Sequence, residues 1–119
     1  MAAMSPFARA RSATLGPSTR PVAIPDDVDT PGVEKANGIV ELPGRVYWSE
    51  PPRRFDLDNR HDRALAYELV LTEGTDDDIR RFIDIDQLVD LWPQLVLPRH
   101  VREAWAAWLH DHRGVAVAC

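Results

Sequence analysis

Four histidines, one cysteine and a dense run of carboxylates are the residues of this chain best equipped for chemistry. His61-Asp62 matches the dipeptide that metal-dependent phosphohydrolases use as ligands. Such sites need further His and Asp ligands on other helices, and no histidine precedes His61, so the pair reads as the solvated first turn of a helix. His100, His110 and His112 form the remaining cluster. Positions 110 and 112 stand about 200° apart around a helix and cannot both face one metal while the helix stays intact. Surface or packing roles are expected for all three.

The acids Asp76, Asp77, Asp78, Asp84, Asp86 and Asp90 raise the question of a divalent-cation site. A calcium loop requires alternating oxygen ligands, a glycine at its turn and a closing glutamate, and that spacing is absent. Helix caps and a solvated face account for these acids instead. No serine lies in a Gly-x-Ser-x-Gly setting and no Gly-rich phosphate loop occurs. The single cysteine, Cys119, is the last residue, which leaves neither an internal disulfide nor a thiolate cluster for zinc. The chain is expected to have no catalytic residue, no metal site and no cofactor.

Recognition is the remaining possibility. Among the tryptophans, Trp92 and Trp105 are expected in the core, whereas Trp48 and Trp108 are expected at the surface, where indole is a frequent interface anchor. Arg53 and Arg54 beside Phe55 form a second patch, suited to bidentate contact with carboxylates. The candidate partner-binding residues are therefore Trp48, Arg53, Arg54 and Trp108.

A small domain must hold these residues in place. Residues 1–38 contain five of the ten prolines, with Ala, Ser, Thr and Gly between them and no sustained periodicity, and read as a disordered leader. An alternative is that the natural chain starts downstream at Val33 or Val40, since valine codons initiate translation in GC-rich bacteria. Order is expected from Ile39. Arg45-Val46-Tyr47-Trp48 has strand character, Pro51-Pro52 interrupts it, and Arg53 to Leu57 resumes the alternation, which predicts a short hairpin.

Four helices are expected next. Asp58 or Asn59 caps a first helix running to about Glu73, with Leu65, Ala66, Leu69, Val70 and Glu73 on one face and Gly74 at its end. Thr75 and Asp78 form a capping box for a short second helix through Phe82. Asp84 caps a third helix bearing Ile85, Leu88, Val89 and Trp92, which Pro93 stops or bends. Pro98 opens a fourth, in which Val101, Trp105, Trp108, Leu109 and His112 form an amphipathic stripe closed by Gly114. The tail, 115–119, is either a frayed end or an added strand. The fold class is thus mainly α: an N-terminal β-hairpin followed by a compact bundle of about four short helices over 39–114.

Charge narrows the choice of partner. The formal charge is −5, and residues 56–90 hold eleven acids against Arg60, Arg63, Arg80 and Arg81. Such a field repels phosphate backbones and favours basic partners, so nucleic acid is not expected on the folded domain. The rival reading is a small helix-turn-helix transcriptional regulator, but the last helix offers a groove only Arg99, His100 and Arg102 before turning apolar. Arg9, Arg11 and Arg20, with no acid before residue 26, form a weak basic arm. A secretory signal core and a membrane-length apolar run are both missing, and the expected location is the cytoplasm of a bacterium.

The segments Trp48-Ser-Glu-Pro-Pro-Arg-Arg-Phe-Asp-Leu, Tyr67-Glu-Leu-Val-Leu-Thr-Glu-Gly-Thr-Asp-Asp-Asp-Ile-Arg-Arg-Phe-Ile-Asp, Leu91-Trp and Leu97-Pro-Arg-His-Val-Arg-Glu-Ala-Trp carry a resemblance that spans Arg45 to Arg113. They resemble a family of small proteins from GC-rich bacteria encoded beside nucleotidyltransferase-fold toxins of the abortive-infection type. The resemblance implies an antitoxin or accessory role by direct contact with such a toxin. It carries over no catalytic motif.

Overall fold

A computed structural model describes residues 22–118 of the chain. Residues 1–21, with Arg9, Arg11 and Arg20, and Cys119 lie outside the described residues. The described part is mainly α, with strands β1 (Ile39–Glu41) and β2 (Arg54–Asp56) preceding helices α1 (Arg60–Glu73), α2 (Asp76–Phe82), α3 (Ile85–Leu91) and α4 (Arg99–Arg113). A 3₁₀ turn, Trp92–Gln94, extends α3, as expected where Pro93 removes a backbone donor.

The helix ends follow their capping chemistry. Asn59 accepts from the Asp62 N–H to start α1. Thr75 and Asp78 form a complete reciprocal box at α2, and Asp84 accepts from the Gln87 N–H at α3. Gly74 ends α1 at an ordinary φ of −79°. Its glycine is required by space, because a Cβ there would lie 2.5 Å from the Val70 carbonyl oxygen. Gly114 is required by conformation instead, closing α4 in the left-handed region at φ 65°.

The hairpin forms with a different first strand from the one expected. β1 pairs antiparallel with β2 in the register Ile39↔Asp56, Val40↔Phe55, Glu41↔Arg54. Arg45 to Trp48 is a turn and irregular chain, in which the Val46 and Tyr47 N–H groups both donate to the Pro43 carbonyl at 2.8 and 3.0 Å. Two of its side chains serve packing, Val46, which is buried, and Tyr47, whose ring meets Phe55 edge-on.

A second correction concerns the leader. Residues 22–38 were expected to be disordered, yet they form a strap across the domain. Val28 is fully buried among the core residues. The Lys35 ammonium donates to the Val28 and Arg80 carbonyls at 2.8 and 2.6 Å, and the Ala36 N–H donates to the Arg81 carbonyl at 2.8 Å. Arg80 bonds Asp27 at 2.8 Å, and Arg113 bonds Asp29 at 2.9 Å. Burial holds the Lys35 ammonium below its usual range, against the opposing pull of Asp84, Asp29 and Asp27. Strap and helices therefore share one core, centred on Phe55, Val70, Ile79, Leu88, Trp105 and Leu109.

On α1 the buried face is Ala64, Ala66, Tyr67, Val70 and Leu71, with Leu65 and Leu69 only partly buried. Tyr67 replaces them at the centre: its hydroxyl accepts from the Asp84 N–H at 3.0 Å, and burial pushes its pKa up to about 12. The tail also differs from both expectations. Val115 and Val117 pack against the core, and the Ala118 carbonyl accepts the Trp92 indole N–H at 2.7 Å. Among the described residues no helix is long and apolar enough to cross a membrane.

Candidate functional site

Two of the four tryptophans belong to the core, as expected: Trp105 is fully buried and Trp92 nearly so, with the Arg102 guanidinium 4.8 Å above the Trp92 ring. Trp48 contrasts with both. It is 73% exposed, held out on the chain between β1 and β2. The base of this loop is fixed, since Arg45 donates to the Asp78 carboxylate, which is buried and also accepts from the Thr75 N–H and hydroxyl at 2.9 and 3.1 Å. A buried carboxylate with three donors resists displacement, so Trp48 is presented from an anchored support.

Around Trp48 runs a cleft of about 160 Å³ lined by residues that include Glu41, Leu42, Tyr47, Pro52 and Arg53. Arg53 lies over the Phe55 ring at 4.6 Å and approaches Asp62 at 3.6 Å. Ser49 accepts from the Arg53 N–H at 3.0 Å and donates to the Pro51 carbonyl at 3.0 Å, which folds the loop back on itself across the cis Glu50–Pro51 peptide. Trp48 and Arg53, two of the four candidates, therefore share one site.

Arg54 lies next to it, beyond the cleft wall. It pairs across the hairpin with Glu41 at 3.5 Å in an exposed contact, a geometry of small energetic worth. Trp108 is separate. On α4 it is only half-buried, edge-on to Trp105 at 5.6 Å and stacked on His112 at 4.6 Å, and it lines no cleft with Trp48. Sequence reasoning passed over Tyr47, Glu41 and Pro52 as lining residues. Tyr47 adjoins Trp48 and was legible as an aromatic pair, but Glu41 and Pro52 enter through the fold of the loop.

The carboxylates have specific occupations. Asp78 and Asp84 cap helices, while Asp77 bonds Arg80 at 2.7 Å, and Asp86 and Asp90 pair with Arg113 and Arg60. Asp62 is more than a solvated first-turn acid: its Oδ2 accepts from the Asp56 N–H at 3.0 Å, tying α1 to β2. His61 and His110 are exposed, and the His112 ring nitrogen lies 3.1 Å from the Trp108 carbonyl. Among the described residues no three His, Cys, Asp or Glu side chains are grouped as metal ligands.

A larger polar cleft, about 350 Å³, lies between the strap and the helices, with Lys35, Arg63, Tyr67 and Asp84 on its walls. Its cations are engaged by backbone, Lys35 as described and Arg63 by the Leu57 carbonyl at 2.9 Å. That cleft reads as the seam of the strap. The Trp48 cleft, with an exposed indole on an anchored loop, is the better candidate for a partner. Comparison with known families, with curated proteins and with solved structures finds no match to this chain.

Proposed function

We propose that this chain is a non-catalytic protein-binding module of the bacterial cytoplasm, in which Trp48 and its cleft are the contact surface for a basic partner. The observation that carries this reading is the 73% exposure of an indole on a loop fixed through Arg45 and Asp78. A large aromatic left in water has no folding role to explain it and matches the usual chemistry of an interface hot spot. Several arginines are already paired with carboxylates, namely Arg60, Arg80 and Arg113, which favours a protein partner over a phosphate backbone. The net charge of −5 points to a basic surface on that partner.

The resemblance to small proteins encoded beside nucleotidyltransferase-fold toxins supplies the partner class: the chain acts as an antitoxin that covers the substrate cleft of such a toxin. Co-expression with the product of the adjacent toxin gene is the test. The expected result is a complex that survives purification and suppresses toxicity, with both lost on Trp48→Ala; failure to bind with toxicity unchanged would refute it.

A further inference from the structure

We propose that the Trp48 cleft takes a single arginine side chain of the partner, its guanidinium laid on the indole and one N–H donated to the Glu41 carboxylate. The inference rests on the reading of Trp48 as the contact surface and names the group that this surface receives. At about 160 Å³ the cleft is well below the roughly 300 Å³ at which small-molecule sites begin, and it suits one long side chain.

The open groups of the cleft are those a guanidinium uses. Elsewhere in the fold a guanidinium lies over Phe55, Phe82 and Trp92, at 4.6, 4.9 and 4.8 Å. Indole is the best aromatic partner for a cation, yet no ring or guanidinium of a described residue lies over the exposed Trp48. Glu41 supplies the carboxylate on the same cleft wall. Its Oε2 meets Arg54 at 3.5 Å, and its Oε1 accepts from no described residue. An arginine can therefore stack and form a charge-assisted hydrogen bond at once.

The charge around the cleft has the matching sign. Arg45, Arg53 and Arg54 each face a carboxylate, of Asp78, Asp62 and Glu41, while Glu50 and Asp56 face no cation among the described residues. Arg53 is on the cleft wall, but its guanidinium is engaged by the Phe55 ring and Asp62. The uncompensated charge is negative, which disfavours a phosphate or carboxylate and favours a cation. Lysine fits less well, because its ammonium is more strongly hydrated and has no planar face to stack. Arg54 acquires a second role in this arrangement. Its exposed contact with Glu41 is weak, so it competes with the incoming guanidinium for that carboxylate.

Titration of the full chain with N-acetyl-arginine amide, followed by nuclear magnetic resonance, tests the inference; the blocked citrulline, an uncharged isostere, and the blocked lysine are the comparisons. A saturable shift of the Trp48 indole N–H is expected, with Kd on the order of 1 to 10 mM for a ligand of this size. Citrulline is expected to bind at least about five-fold more weakly and lysine at least about two-fold. Glu41→Gln is expected to weaken the arginine about three- to ten-fold. Arg54→Gln is expected to strengthen it about two-fold, and to have no effect in the Glu41→Gln background. No saturable shift, citrulline or lysine bound as tightly as arginine, or an Arg54→Gln effect that persists with Glu41→Gln would overturn the inference. A complex with the product of the adjacent toxin gene that requires Trp48 but not Glu41 would overturn this inference alone. One that requires neither would overturn the proposed function as well.

Discussion

Two segments without regular structure flank β1, and they behave in opposite ways. The strap, 22–38, is rich in turn-formers yet holds Val28 in the core, while the loop 42–53 carries the strand-like run Val46-Tyr47-Trp48 yet leaves Trp48 in water. Both segments are rich in turn-formers, so composition alone does not separate them. The difference lies in distant partners: Lys35 reaches the Val28 and Arg80 carbonyls, whereas the loop is tied at Arg45 and closes on itself beyond it. Order in an irregular segment is thus set by what its polar groups and one or two apolar side chains find elsewhere in the chain.

The sharpest way to break this comparison is to remove the strap. A chain begun at Val40 lacks Val28, Lys35 and Ile39, and it is expected to lose at least about 3 kcal/mol of stability or fail to fold, read by urea unfolding. Val28→Asp in the full chain is expected to cost a similar amount, since it buries an unpaired carboxylate. Lys35→Met comes next. It keeps the stem but leaves two carbonyls without their donor, an expected loss of about 1 to 3 kcal/mol with the transition still cooperative.

Acid should loosen the strap by a smaller amount. The Arg80 guanidinium holds the Asp27 carboxyl below its usual value of 3.8, so the pair's contribution is complete above that value and is lost as pH falls through the lowered one. Asp27→Asn is expected to remove this pH dependence, measured as exchange of the Ala36 amide proton, with little change near neutrality because the pair is exposed to solvent. The smallest effect on stability is expected from Trp48→Ala, within about 0.5 kcal/mol, whereas Trp105→Ala is expected to cost about 3 to 5 kcal/mol.

Helix positions were legible wherever a cap announced them. Asn59, Thr75 with Asp78, Asp84 and Gly114 each act locally, within one turn, so a reader of the sequence sees both partners at once. The hairpin was legible as a pair of strands but not in its first member. Arg45 to Trp48 has the stronger strand composition, and the choice of Ile39–Glu41 depends on Val40 pairing with the buried Phe55 of the neighbouring strand. The strap was hidden for a similar reason: Lys35 and Arg80 are far apart in sequence, and nothing near Lys35 marks its two acceptors. At the candidate site Trp48 could be named because indole is a frequent interface anchor, and Arg53 because it stands with Arg54 beside Phe55. Glu41 and Pro52 could not, since their place on the cleft wall is a product of the loop's path.

Buried residues such as Trp105 hold the domain together, whereas the exposed Trp48 is the proposed contact for a partner. The most direct measurement is a titration of the proposed partner, the product of the adjacent toxin gene, with the wild-type chain and with Trp48→Ala, alongside urea unfolding of both. The account predicts an affinity at least about ten-fold weaker with an unchanged unfolding midpoint. Equal affinity, or a midpoint that falls as far as it does for Trp105→Ala, would contradict it.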